Sequence, residues 1–126
     1  MKDAKANKII VRVGDSWESP ILHVLMTKED NFVIARCLDF TVSSHGKDED
    51  DALKSLADSI KEYVLTAVEN NAINTISDPA HSKYWRMYNE LEAKQLNIKM
   101  KRSLKKSFHS IPDDNIWELS TEINYA

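Results

Sequence analysis

The sequence predicts an α+β fold: a small antiparallel β-sheet of three to four strands with one long helix across one face, plus a C-terminal helix and an extended segment. Closely spaced runs of β-branched and aromatic residues, separated by polar turns, predict the sheet in residues 8–45. Apolar residues at three- and four-residue spacing predict the long helix in residues 48–70. We therefore divide the chain into a β-β-β-α core, residues 1–80, and a C-terminal extension, residues 81–126.

The predicted strands follow one another closely. Two of them flank the polar run "KEDN", which is the pattern of an antiparallel hairpin, and the next strand follows almost at once. Residues 1–7 lack such a pattern and are expected to be a frayed tail, while "GDSWESP" is expected to form a turn. The strands are predicted at Lys8–Val13, Ile21–Thr27, Phe32–Leu38 and Phe40–His45.

The long helix begins at the acidic run "DEDD", residues 48–51. Asp48 is placed to cap the helix by accepting from the backbone N–H groups of Asp50 and Asp51, and Asp51 stands where the second member of a capping box belongs. Four acids in one helical turn point in different directions, so they do not converge on one metal ion. The run therefore predicts a helix start, and "ENNA" predicts the end near Asn70. The apolar stripe consists of Leu53, Leu56, Ala57, Ile60, Val64, Ala67 and Val68.

The C-terminal extension has a less regular pattern. Tyr84, Trp85, Tyr88 and Leu91 stand at helical spacing and predict a second helix over residues 82–96. The run "LNIKMK", residues 96–101, alternates between apolar and polar residues, and we favour a strand there over a continuation of the helix. The run "IWELSTEIN", residues 116–124, also alternates and fits either a last strand or a short helix.

Charge is distributed unevenly along the chain. Residues 94–106 contain six basic residues and no acid, whereas the whole chain has a net charge of −3. This asymmetry indicates two surfaces with different partners, or a basic segment that folds back on the acidic body of its own or a neighbouring chain. The single cysteine and the absence of an apolar leader or a membrane span predict a cytoplasmic protein. The basic residues are Lys94, Lys99, Lys101, Arg102, Lys105 and Lys106.

Residues 20–80 combine a strand, a turn glycine, an acidic-Ala-Leu helix start and a late aromatic residue. The residues of this pattern are Val33, Ala35, Cys37, Asp39, Gly46, Asp51, Ala52, Leu53 and Tyr63. In this pattern the chain resembles the HicB-like antitoxin family, with Asp48 where the family usually has a capping threonine. The resemblance implies a reduced ribonuclease H-like fold, and a protein that binds and neutralises a small basic RNA-cleaving toxin and autoregulates its operon.

The basic segment is a candidate DNA-binding element. "LNIKMKRSLKKSF" resembles the opening of a ribbon-helix-helix module, in which Asn97, Lys99 and Lys101 on a strand would read the major groove. Arg102, Lys105 and Lys106 add positive charge toward phosphates. A solvated basic face without a ligand is the alternative, and both interpretations remain open.

The sequence predicts no catalytic residue, metal site or cofactor. Strand alternation places Ser44 and His45 on opposite faces, and no nucleophile elbow is present. The histidines lack metal-ligand spacing, and "KIIVRV" and "ILHVLM" contain no acid that could hold the ions of a nuclease. A solitary HicB-like module, acting in transcription control or ligand binding without a toxin, is the alternative function.

The strands also predict a homodimer. Apart from His23, residues 21–26 and 32–35 are apolar on both sides of the pleat, and the long helix can cover only one face of the sheet. Either the helix around Trp85 together with C-terminal strands covers the other face, or a second copy does. We expect a second copy.

Overall fold

A computed structural model describes residues 4–108. These residues divide into two units, one ending at Glu92 and the other beginning at Ala93. The predicted α+β fold is confirmed, whereas "IWELSTEIN" lies outside the described residues. No helix in this part of the chain is long and apolar enough to cross a membrane. The elements are β1 (Ala4–Ile9), β2 (Arg12–Val13), β3 (Trp17–Glu18), β4 (Leu22–Glu29), β5 (Phe32–Cys37), β6 (Val42–Gly46), α1 (Glu49–Glu69), a 3-10 helix (Ile73–Thr75) and α2 (Ser82–Phe108).

Four strands form an antiparallel sheet in the order β1-β4-β5-β6, and β2 and β3 form a separate two-stranded ribbon. The predicted hairpin is confirmed, but its turn contains only Asp30 and Asn31, because Glu29 pairs with Phe32. Asp30 has a φ of 54°, in the left-handed region that Asp and Asn tolerate better than most residues. The polar run "KEDN" therefore contributes half of its residues to a strand.

The N-terminal strand prediction is shifted. Residues 4–7 belong to β1 instead of a frayed tail, because they pair along β4 from Ala4–Thr27 to Ile9–Leu22. The predicted strand Lys8–Val13 is broken at Ile10 and Val11, and its last two residues pair with Trp17 and Glu18 in the ribbon.

Helix α1 has both of its ends fixed by hydrogen bonds. The Asp48 side chain accepts from the backbone N–H of Asp51 at 2.8 Å. This confirms the predicted cap for Asp51, which is one of the two expected N–H donors. At the other end Asn71 has a φ of 54°, and the N–H of Ala72 donates to the carbonyl of Ala67 at 2.7 Å. This is a Schellman arrangement with asparagine in the left-handed position.

Each face of the sheet is covered by a helix within residues 4–92. Helix α1 packs Leu56 and Ile60 against Val24, Met26 and Ala35 on one face. On the other face, the first three turns of α2 pack against Ala6, Leu25 and Leu38 of the sheet side. The buried residues of this smaller group are Ala6, Leu25, Leu38 and Tyr88, and Ala80, Tyr84, Trp85, Met87 and Leu91 are partly buried against them. The uncovered face from which we predicted a homodimer is therefore occupied by α2, and that reason for a homodimer is wrong. The homodimer itself stays a prediction.

Residues 96–101 are helical, so the strand predicted there is wrong. Helix α2 continues through them without a break to Phe108. Leu96 and Met100 are four residues apart, and Leu104 follows after another four, so a helix places all three along one stripe. Leu, Gln, Lys, Met and Arg are also good helix formers. The sheet does not include this segment, because β1 and β6 form its two edges.

Candidate partner-binding surfaces

The start of α1 is built around the close approach of Gly46. A Cβ atom at this position would lie 2.4 Å from the backbone N of Ala52 and 2.7 Å from the carbonyl carbon of Asp51. Glycine is therefore needed for space at the end of β6 and not for a left-handed turn. Asp51 accepts from the N–H of Lys47 at 2.9 Å, one residue before the donor of a regular capping box. Asp48 thus caps the helix as predicted, whereas Asp51 holds the helix start through Lys47 and does not close the predicted capping box.

The outward face of α1 carries an acidic stripe, which we define as Asp58, Glu62, Leu65 and Glu69. Their spacing of four, three and four residues aligns them on one side of the helix, opposite the buried residues. All four are exposed, and the Leu65 side chain stands 47% exposed between the carboxylates. The sequence patterns did not single out Leu65. The signal was an apolar residue at a position that the helical period assigns to solvent.

Carboxylates outnumber cations on this helix. The segment from the cap to Glu69 contains seven acids and only Lys54 and Lys61 as bases. Glu49 forms a salt bridge with Lys5 at 3.3 Å, and the Asp48 and Asp51 side chains accept backbone hydrogen bonds. Asp58, Glu62 and Glu69 form no salt bridge with any residue in the range 4–108, so they are open to a basic partner.

Polar residues on the second face are engaged in structural contacts. Asp39 accepts from the His23 backbone N–H at 2.7 Å, and its other carboxylate oxygen lies 3.1 Å from His23 Nδ1. The His23 ring packs on Trp85 and meets Tyr88 edge-on. Asp39, a residue of the family resemblance, therefore joins the end of β5 to β4 and supports the packing of α2. This is a structural role.

Tyr88 is the buried centre of the α2 contact. It is 1% exposed, and its hydroxyl donates to the carbonyl of Asn7 at 3.2 Å. Burial, together with the nearby negative charge of Glu92, raises the pKa of Tyr88 to about 12. Glu92 also forms a salt bridge with Lys8 at 3.0 Å. These contacts attach the first turns of α2 to the edge strand β1.

Ser44 and His45 point away from each other, as predicted. The Ser44 hydroxyl shares a hydrogen bond with Ser55 of α1, whereas the His45 ring meets Phe32 edge-on on the other face.

Burial raises the pKa of the Cys37 thiol, which is 1% exposed. No cluster of His, Cys, Asp and Glu within residues 4–108 is arranged to hold a metal ion.

The predicted DNA-reading residues lie on a helix and not on a strand. At about 100° per residue, Lys99 points away from Asn97 and Lys101, so the three do not form the single reading face of a ribbon. The ribbon-helix-helix geometry is therefore wrong for this segment. Arg102, Lys105 and Lys106 continue along the same helix, and every residue from Asn97 to Ser107 is exposed.

No family model matches the chain, and comparisons with curated proteins and with solved structures also found no match.

Proposed function

We propose that this chain is a HicB-like antitoxin, a non-catalytic protein that binds and neutralises a small basic RNA-cleaving toxin. Two things support the proposal: the residues of the resemblance, and the element order β4-β5-β6-α1 over residues 22–69, which agrees with the core that the resemblance implies. The observation that carries it is the acidic stripe with Leu65 at its centre. The single buried cysteine also fits the reducing cytoplasm, where we place the protein.

A toxin that cleaves RNA must present basic side chains to the phosphates of its substrate. The open carboxylates of Asp58, Glu62 and Glu69 are complementary to such a surface and would compete with RNA for it. Leu65 supplies an apolar side chain in the middle of the charged rim, which is the usual arrangement of an interface anchor. Residues 4–92 have 15 acidic and 10 basic side chains, which favours the same kind of partner.

The test is copurification with a small basic protein encoded next to this chain, followed by rescue of growth when the two are expressed together. We expect the double variant Asp58→Lys and Glu62→Lys to weaken the complex by roughly tenfold or more, because like charges set against each other cost several kcal/mol. Leu65→Asp should weaken it as well.

The matched control is Asp15→Lys with Glu90→Lys, which makes the same change in net charge on two other exposed carboxylates. The control complex should form as the native one does. If the stripe variants bind and rescue as well as the native chain, the acidic stripe is not the toxin-binding surface. If the native chain binds no such neighbour, the antitoxin proposal fails.

A second candidate function is transcription control by a solitary HicB-like module. The observation that favours it is the second half of α2, residues 93–108, which has six basic residues and no acid. Positive charge on an exposed helix suits phosphate contacts or the major groove of DNA. A retarded band with duplex DNA at low salt, in the absence of any protein partner, would support this function.

A further inference from the structure

The second half of α2 carries an exposed apolar stripe, which we define as Leu96, Met100 and Leu104. Their side chains are 51%, 63% and 54% exposed. A row of side chains four residues apart forms a ridge on a helix, and such a ridge packs into the groove of another helix. Three large apolar side chains on one exposed ridge therefore indicate a helix-packing surface.

Positive charge borders the apolar stripe on both sides. At about 100° per residue, Lys101 lies beside Leu104 and Lys99 lies beside Leu96. Neither lysine forms a salt bridge with any residue in the part of the chain that the structure describes. The surface is therefore complementary to a helix that has an apolar contact in a groove bordered by carboxylates.

The acidic stripe of α1 has this complementary pattern. Asp58 and Glu62 belong to one four-residue row, Leu65 and Glu69 belong to the next, and a groove runs between the two rows. Val68 adjoins Leu65 on the helix surface and is 50% exposed. The stripe thus offers apolar side chains and three open carboxylates to an apolar ridge that is flanked by lysines.

We propose that two copies of this chain form a dimer in which the apolar stripe of each copy packs into the groove of the other copy's acidic stripe. A second copy is the occupant that the chain itself specifies, because each copy carries both complementary surfaces. Twofold symmetry then forms the contact twice. In each contact Lys99 and Lys101 lie toward Asp58 and Glu62, so opposite charges meet.

The dimer covers the same carboxylates that a basic protein partner would use, so a second copy and such a partner exclude each other from α1. The contact between copies does not depend on the antitoxin proposal, and its test uses this chain alone. Absence of a toxin complex would leave the result of that test unchanged.

Charge exchange between two variants tests the contact. The first variant, Asp58→Lys with Glu62→Lys, sets a basic α1 against the basic half of α2. The second variant, Lys99→Glu with Lys101→Glu, sets an acidic ridge against the acidic stripe. Sedimentation equilibrium of the native chain at micromolar concentration should give the mass of two chains, and each variant alone should dimerise more weakly by about tenfold or more, because like charges then face each other.

An equimolar mixture of the two variants decides between the proposed dimer and a contact within one chain. Both contacts of the mixed dimer join opposite charges again, so the mass of two chains should return. Mixing cannot restore a contact that forms within one chain, so a mixture that does not dimerise overturns the proposal. A native chain that keeps the mass of one chain across micromolar concentrations overturns it as well.

Two further samples separate this contact from an effect of net charge. A single chain with all four substitutions should dimerise as the native chain does, because its two surfaces are complementary once more. The matched control Asp15→Lys with Glu90→Lys makes the same charge change as the first variant on other exposed carboxylates, and it should keep the native dimerisation. If the control loses the dimer as the first variant does, the acidic stripe is not the contact and the proposal fails.

Discussion

Gly46 lies where the last strand of the sheet meets the first turn of α1, and the backbone of Asp51 and Ala52 fills the space that a side chain would need. The turn glycine of the resemblance therefore has a steric reason in this chain. Only two residues, Lys47 and Asp48, separate β6 from α1, so any displacement at Gly46 would be transmitted to the helix cap.

Asp48 should contribute to stability through its capping hydrogen bond alone. We expect Asp48→Ala to lower the free energy of unfolding by about 0.5–2 kcal/mol, because the N–H of Asp51 loses its acceptor. Urea unfolding followed by circular dichroism measures the change. The control Asp58→Ala removes another exposed carboxylate, from the middle of the helix, and should leave the midpoint unchanged or slightly raised, because alanine is the better helix former. Equal midpoints for Asp48→Ala and the native chain would contradict the capping assignment.

Tyr88 should make the fold sensitive to alkaline pH. Its pKa is about 12 in the folded chain and about 10 in an unfolded one, so the folded state holds the neutral phenol after the unfolded state has begun to ionise. The stabilisation from the neutral phenol is fully present below pH 10 and is lost as the pH rises to about 12. Urea midpoints measured between pH 9 and 12 should therefore fall.

In Tyr88→Phe this fall should be smaller, whereas at pH 7 the variant should lose about 0.5–1.5 kcal/mol with the hydrogen bond to Asn7. Burial also raises the pKa of Tyr63 and of Cys37, so part of the alkaline loss will remain. The control Tyr84→Phe changes a ring that contacts Arg36 and Lys83 and should keep the native decline. An unaltered decline in Tyr88→Phe would show that this phenol is not the sensitive group.

At the scale of elements, the β4-β5 hairpin and α1 are predictable because their patterns are unambiguous. The hairpin has a polar turn between two apolar runs, and α1 has a cap, one apolar stripe and an asparagine end. Residues 96–101 show the limit, because Leu96, Ile98 and Met100 alternate as in a strand while Leu96, Met100 and Leu104 also fit a helix. The start of β1 was missed because "AKAN" lacks β-branched residues and is a strand only through its pairing with β4.

The basic half of α2 gives a prediction about nucleic acid. If it binds DNA, affinity should fall steeply between low and physiological salt, because each phosphate contact releases condensed counterions. Replacing Lys99, Lys101 and Arg102 with Gln should abolish the retarded band at low salt. The control replaces Lys47, Lys54 and Lys61 with Gln, which removes the same charge from around α1. Equal losses in both triple variants would show an effect of net charge, and no retardation of any DNA by the native chain would exclude the regulatory role.

At the scale of the whole molecule, we predict that the purified chain does not cleave RNA in the presence of magnesium or manganese. Asp39 is engaged with His23, and Asp48 caps α1, so neither carboxylate is placed with a partner to hold a metal ion pair. Gel analysis of a labelled RNA measures this. Metal-dependent cleavage that disappears in Asp39→Asn or Asp48→Asn would contradict the prediction, whereas cleavage that persists in both variants points to a contaminating nuclease.

The candidate sites were predictable to different extents. Asp48 and Asp51 were found because capping depends on neighbours in sequence. The sequence predicted the solvent-exposed carboxylates of the acidic stripe but did not distinguish them from an ordinary helix surface. The feature that distinguishes the stripe is the exposed Leu65 among them. For the second face we expected a second copy instead of Tyr88 and α2, because the Tyr88 contact joins residues about 80 positions apart and no local pattern specifies it.

The two-sided sheet also has a consequence for synthesis on the ribosome. Helix α1 can close the first face once residue 69 has left the ribosome, whereas Leu25 and Leu38 on the second face are covered by residues 80–91. At a translation rate of about 5–20 residues per second, the interval from residue 69 to residue 91 lasts about one to four seconds. During that time the nascent chain exposes an apolar sheet face to the cell. Chaperones that bind nascent chains would meet this protein at the Leu25 face first, and a stalled or truncated product ending before Tyr88 would keep that face open.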